Sequence, residues 1–239
     1  MIYFRGCVVR EKLSGISDAT EKLLKLANID YTVIENETCC GSFLMRTGFE
    51  SEAHEIMEKT IKDLNSKLNT DNKILVSCAG CYNAFKNDYK ELFDVDLDVV
   101  HTSDFFNILI KQGKLKLKKT PTKITYHDPC HLGRNSGIYE EPREIIKKTG
   151  KLIDMKLNRE KSRCCGAGAG VKSAYPEIAS SMASKRIQDA EDTRAELLVT
   201  ACSFCILNLE SAFEDRDKNK DHTILDVLDI SELILMRLE

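Results

Sequence analysis

Ten cysteines that obey one spacing pattern, used twice, constrain this chain of 239 residues more than any other feature. The first set is Cys7, Cys39, Cys40, Cys78 and Cys81; the second is Cys130, Cys164, Cys165, Cys202 and Cys205. Matching positions differ by 123, 125, 125, 124 and 124 residues. The surroundings repeat as well: "IYFRGC" aligns with "TYHDPC", "CCGSF" with "CCGAG", and "KILVSCAGC" with "ELLVTACSFC". Each doublet is followed by helical spacing, "SEAHEIMEKTIKDL" in one half and "PEIASSMASKRIQDA" in the other. An internal duplication of this kind makes each repeat one supersecondary unit and has to be recognised before anything else is inferred.

Each half reads as strand, loop with the lone cysteine, helix, strand, loop with the doublet, helix, strand, loop with C-x-x-C, helix. "KILV" (73–76) and "ELLVT" (196–200) are short β-rich runs that end at cysteines, and "YTVIE" (31–35) precedes the first doublet. Strands alternating with helices imply parallel α/β units, in which ligand groups gather beyond the carboxyl ends of the strands. The expected fold class is therefore α/β: two pseudo-symmetric, Rossmann-like parallel repeats packed around two metal-cluster sites. The expected division is a first repeat over 1–110, a linker over 111–123 and a second repeat over 124–239. That linker, "KQGKLKLKKTPTK", carries six lysines and little apolar content to bury, which reads as a solvated connection or, more sharply, a docking strip for an acidic partner. "EDRDKNKDH" (214–222) reads as a further solvated loop.

Composition decides what the cysteines are for. A formal charge of −3 with 42 % hydrophobic and 31 % charged residues gives no field that implies nucleic acid or a membrane surface. The chain has no apolar run long enough for a bilayer, and "MIYFRGC" turns polar too soon for a signal peptide. The expectation is a cytoplasmic protein, where a cysteine cluster is metal-binding or catalytic, disulfide-rich hyperthermophilic archaea being the exception. Disulfides would leave one thiol over in each half, and adjacent cysteines bond to each other only with strain. Structural zinc wants four thiolates and commonly two C-x-x-C knuckles, whereas each half has one. Iron–sulfur clusters are the soft-ligand alternative, yet an ordinary cube also takes four cysteines. Five suggests a cluster of unusual stoichiometry, or four ligands plus one cysteine kept for chemistry, and zinc in one half stays open.

The two patterns, C-x31-C-C-G-x36-C-x2-C and C-x33-C-C-G-x35-C-x2-C, resemble the tandem CCG domain of heterodisulfide reductase catalytic subunits. Relatives of that family include iron–sulfur subunits of glycolate oxidase, anaerobic glycerol-3-phosphate dehydrogenase, lactate-utilisation proteins and thiol:fumarate reductase. "YHDPCHLGR", "GIYEEPREII", "CCGAGAGVKSAYPEIA" and "ACSFCILNLE" look most like the D-type subunit of the methanogen enzyme. The resemblance implies a noncubane [4Fe-4S] cluster in each half. One is held by Cys7, Cys39, Cys40, Cys78 and Cys81 and the other by Cys130, Cys164, Cys165, Cys202 and Cys205, with zinc in place of the first as the variant to test. It also implies a small-molecule disulfide, coenzyme M joined to coenzyme B in methanogens, cleaved between the two clusters.

The residues themselves add to this. Gly41 and Gly166 let backbone approach a cluster closely. His127 and His131 flank Cys130 and are candidate catalytic proton donors, although such a pair equally serves to satisfy hydrogen bonds or cap a helix. "GAGAG" (166–170) is not a dinucleotide loop, because Val171 stands where the last glycine of G-x-G-x-x-G belongs. The chain shows no ferredoxin cysteine run, flavin fingerprint or haem-binding span, so electrons are expected from a ferredoxin-type or flavin-containing partner subunit. The competing reading is a non-catalytic iron–sulfur relay for a lactate- or glycolate-type dehydrogenase. Retention of both full cysteine sets favours the catalyst.

Overall fold

Short, fully buried and mainly apolar runs, "IYF" at Ile2–Phe4, "ILV" at Ile74–Val76 and "LLVT" at Leu197–Thr200, have no face to offer solvent, as parallel strands covered on both sides require. The computed structural model, which describes residues 1–67, 73–216 and 222–239, builds two four-stranded parallel sheets around them. In the first half the order of elements is β1 (Ile2–Phe4), α1 (Cys7–Lys12), α2 (Ser14–Leu26), β2 (Thr32–Val33), α3 (Ser42–Arg46), α4 (Glu50–Asn65), β3 (Ile74–Val76), α5 (Ala79–Asn83), a π-helical turn (Ala84–Asp88), α6 (Tyr89–Phe93), β4 (Val99–His101) and α7 (Thr102–Lys111). The second half runs β5 (Lys123–His127), α8 (Glu140–Thr149), β6 (Lys151–Leu152), α9 (Val171–Ala174), α10 (Pro176–Glu191), β7 (Leu197–Thr200), α11 (Ser203–Glu214), β8 (Asp226–Asp229) and α12 (Ile230–Met236). The expected α/β class with two repeated halves is what the chain adopts.

Sheet order is β2-β1-β3-β4 in one half and β6-β5-β7-β8 in the other. Each half thus has a fourth strand, β4 or β8, that the coarse sequence reading did not contain. The order reverses direction between β1 and β3, and again between β5 and β7, so the loops leaving those strands diverge and open a crevice. Those loops carry the lone cysteine and the C-x-x-C of each half.

The halves interlock. Helix α2 packs on α12, α7 on α8 and α1 on α11. Thr20 donates to Ser231 Oγ at 3.2 Å, and Asn107 Nδ2 donates to Glu144 Oε2 at 2.6 Å across the same seam. The connection between halves is pinned rather than free: Leu115 is buried, Leu117 bridges to Leu238, and Lys118 N donates to Arg237 O at 2.7 Å. Its lysines 114, 116, 118 and 119 face solvent. The loop expected over 214–222 falls largely on 217–221, outside the described residues; beside it Arg216 pairs with Glu191 at 3.1 Å.

Candidate metal centre

The carboxyl ends of the central strands deliver the cysteines. Cys7 follows β1 and Cys130 follows β5 by three residues, while Cys78 and Cys202 come two residues after β3 and β7. A buried acidic group fixes each lone-cysteine loop. In the first half Glu37 accepts from the backbone N–H groups of Arg5 and Gly6 at 2.9 and 2.8 Å, and burial pushes its pKa up. In the second, Asp128 takes a bidentate pair from Arg143 at 2.6 and 2.9 Å and the N–H of Arg159 at 2.8 Å.

The doublets turn on glycines in the left-handed region, Gly41 at φ +77° and Gly166 at φ +89°. A Cβ there would fall against the following long helix, α4 or α10, so the glycines let each doublet lie directly on it. The carbonyls behind the doublets are tied down: Tyr89 donates to Cys40 O at 3.3 Å, and Asn208 Nδ2 to Cys165 O at 2.6 Å. Gly166 N donates to Cys164 Sγ at 3.3 Å.

All ten cysteines converge on one cleft between the halves. None is in a disulfide, although Cys7 and Cys39 bring their sulfurs to 3.6 Å. The thiols of Cys40 and Cys81 and of Cys165 and Cys205 are hydrogen-bond partners, as are those of Cys78 and Cys202 across the halves. Hydrogen bonds from Cys40 and Cys7 hold Cys39 down as a thiolate, and those from Cys130 and Cys165 do the same for Cys164. The partners Cys7 and Cys130 are pushed up by those same bonds and by burial. Hydrogen bonds from Cys202 and Cys81 likewise hold Cys78 down, so the thiols alone favour three thiolates among the ten, and ionising the rest requires a cation among them. An all-sulfur donor set of five per half, with glycine backbone against it, fits a soft metal–sulfur group. The residues that would hold it are the ten cysteines.

The two histidines separate. His131 lines the cleft, its Nδ1 3.6 Å from where a Cβ on Gly80 of the other half would sit; burial lowers its pKa. His127 ends β5, fully buried behind Cys165 and Cys205, and burial and then Arg186 hold its pKa well below the ordinary value. The sequence reading did not single out Arg46, which lines the cleft and grips Asp88 at 2.9 and 3.0 Å, nor the buried Arg143 and Arg186. A lone cation six residues past the doublet was the signal for Arg46. The buried pair had none, since charge at helical spacing reads as a solvated face. Past Phe43, Arg46 and Ala169 the cleft opens into a shallow vestibule flanked by the exposed rings of Phe49 and Tyr175.

With this geometry in place, the comparisons are specific. The model of the CCG cysteine-rich domain matches residues 1–86 and 124–210. The chain is 40 % identical over 238 residues to the D-type subunit of the dihydromethanophenazine:CoB–CoM heterodisulfide reductase of Methanosarcina acetivorans, covering 95 % of this chain and 57 % of that one. It is 30 % identical over 231 residues to the B-type subunit of the CoM/CoB fumarate reductase of Methanothermobacter marburgensis, covering 97 % and 45 %. The chain thus spans about half the length of these curated relatives. Among solved structures it overlaps glutamate racemase RacE1 of Bacillus anthracis at 14 % identity and a TM-score of 0.43, covering 98 % of this chain and 78 % of that one, too slight a likeness to bear on function.

Proposed function

The chain belongs to the CCG cysteine-rich-domain family, and from that premise we propose that it is an iron–sulfur oxidoreductase subunit that reduces a small-molecule disulfide of the CoM-S-S-CoB type. Cys7, Cys39, Cys40, Cys78 and Cys81 hold one noncubane [4Fe-4S] cluster, and Cys130, Cys164, Cys165, Cys202 and Cys205 hold the other. The observation that carries this reading is that both complete cysteine sets line the same cleft, so that a molecule between the halves meets both. Such clusters, when bound and recharged by a partner subunit, would supply the two electrons of RSSR′ + 2e⁻ + 2H⁺ → RSH + R′SH.

The protein's own side chains orient the substrate and move a proton. His131 stands on the cleft wall and is the proton donor; its place in the first half, one residue after the lone cysteine, is taken by Val8, which has none to give. The two sulfurs of the substrate are therefore treated unequally, as suits a heterodisulfide. Burial keeps His127 off the cleft and out of that role. Electrons come from a partner subunit, ferredoxin-type or flavin-containing. Ten uncrosslinked thiols support a reducing compartment, and with it the reading of a cytoplasmic protein. No helix among the described residues is long and apolar enough to cross a membrane.

Anaerobically purified protein is expected to carry about eight irons and eight acid-labile sulfides. Addition of the cognate heterodisulfide changes its electron paramagnetic resonance spectrum, and isotopically labelled substrate sulfur broadens the new signal. Four irons with one zinc would make the first half structural. Spectra indifferent to a panel of disulfides, with rapid reduction by a lactate or glycolate dehydrogenase, would establish the relay instead.

A further inference from the structure

The halves differ immediately behind their cysteines. The first strand of one half ends in Phe4 and that of the other in His127, each three residues before the lone cysteine. Phe4 packs edge-on against Phe85 with ring centroids 4.8 Å apart. His127 accepts a hydrogen bond at Nδ1 from Arg186 Nε, 3.0 Å away. Arginine is always protonated and can only donate, so Nδ1 offers its lone pair and the ring hydrogen sits on Nε2. That Nε2–H is buried with no hydrogen-bond partner. The imidazole stands where one of its nitrogens is within 4.8 Å of the sulfurs of Cys165 and Cys205. A buried donor without an acceptor is costly, which points to an acceptor that the protein chain alone does not supply.

Arg186 is itself anchored. It donates to Leu157 O at 2.9 Å, Ser162 Oγ at 3.1 Å and Asp189 Oδ2 at 3.2 Å. The buried positions of α10, Ala179, Ala183, Arg186 and Ala190, repeat those of α4, Ala53, Met57, Thr60 and Leu64. Thr60 thus takes the place of Arg186, and its hydroxyl donates to Cys39 O at 2.9 Å. The corresponding positions of the first half hold neither an imidazole nor a cation.

We propose that His127, its tautomer fixed by Arg186, donates a hydrogen bond from Nε2 to sulfur of the second-half cluster and so sets that cluster at a higher reduction potential than the first. The inference rests on the reading that each half holds a cluster. A donor aimed at cluster sulfur stabilises the extra negative charge of the reduced form, and a buried guanidinium behind it acts in the same direction. The same tautomer keeps His127 from being a metal ligand, because Nε2 carries hydrogen instead of a lone pair. Arg186 is a positioning residue, acting on the cluster through the imidazole. At equilibrium the first electron to arrive resides on the second-half side of the cleft.

The test is a potentiometric titration of the anaerobic holoprotein followed by electron paramagnetic resonance, with iron counted in every sample. Wild-type protein shows two cluster signals with different midpoints. His127→Phe, which installs the residue of the first half, lowers the higher midpoint alone, by at least a tenfold change in the reduced-to-oxidised ratio at fixed potential, or about 59 mV for one electron. His127→Gln keeps a donor and retains most of the original midpoint; Arg186→Met shifts the same signal downward. Full iron and unmoved midpoints in His127→Phe overturn the inference while leaving the clusters standing. Iron loss with an unchanged midpoint for the cluster that remains also overturns it, since that is a structural role only. Wild-type protein without two clusters overturns the underlying reading as well, and is seen before any variant is made.

Discussion

Replacing Gly166 by alanine should damage the protein more than the same change at Gly41, although both glycines turn a cysteine doublet. Both have positive φ, +89° and +77°, and an L residue in the left-handed region costs about 1–2 kcal/mol at either site. The difference lies in what the new methyl meets. At Gly166 it would stand 2.9 Å from Ala179 O and 2.9 Å from Met182 Cβ, atoms fixed to the backbone of α10. Relief means moving the helix or the doublet, an overpacking penalty of about 1–3 kcal/mol. At Gly41 the nearest atoms, 2.6 and 3.1 Å away, are Cγ and Cε of Met57, a side chain with several rotatable bonds. Gly166→Ala is thus expected to cost about 2–5 kcal/mol and Gly41→Ala about 1–3 kcal/mol. Urea unfolding of the iron-free chains measures both. Because Gly166 N donates to Cys164 Sγ, Gly166→Ala should also lower iron uptake by the second half on reconstitution. A Gly166→Ala midpoint indistinguishable from wild type, or a larger loss for Gly41→Ala, would refute the steric reasoning.

Cys164→Ser and Cys165→Ser should each lose roughly half the iron, with far-UV circular dichroism unchanged, because hydroxyl oxygen is a poor substitute for thiolate. Arg143→Met leaves the Asp128 carboxylate buried without its cation and should cost about 3–5 kcal/mol in denaturant unfolding. Asp229 caps α12 by accepting from Ser231 N at 2.8 Å, and burial raises its pKa to about 7. For a carboxyl raised in the folded state, stability is greatest below the unfolded value near 3.8 and is lost as pH rises through about 7. Asp229→Asn keeps the capping acceptor and removes the charge. It should therefore stabilise by on the order of 2–4 kcal/mol near pH 8, with the gain vanishing near pH 4, as unfolding midpoints at the two pH values will show.

The thiols and the alternation of strand and helix were readable because both are local: a cysteine keeps its identity wherever it lands, and a buried parallel strand such as Ile74–Val76 is apolar throughout. The strands Val99–His101 and Asp226–Asp229 escaped notice because acidic residues within or before them mimic a loop. Repeat offsets revealed two copies but not how the copies face each other. The hydrogen bond between Cys78 and Cys202 and the approach of His131 to Gly80 depend on helices that meet across the halves. The two histidines looked alike beside Cys130, yet one ends a strand and is buried near Cys165 and Cys205, while the other lies past the turn and lines the cleft. Arg186 sits where the helical pattern wants an apolar residue. Its cost is offset by Asp189 one turn further along the helix and by His127 and Ser162, which no sequence pattern brings near it.

The packing of α2 against α12 also sets a timetable for biosynthesis. Leu26, at the end of α2, and Ile230, at the start of α12, are separated by about 200 residues, which a ribosome adds in about 10–40 s at 5–20 residues per second. Cys81 precedes Ile230 by about 150 residues, so for most of that interval the first five thiols are made but lack the other wall of their cleft. Metal delivered then would meet an open, oxidisable cysteine set in place of the enclosed one. The enclosed cysteine cleft is accordingly a late event in the life of the nascent chain, complete only once α12 has docked on α2.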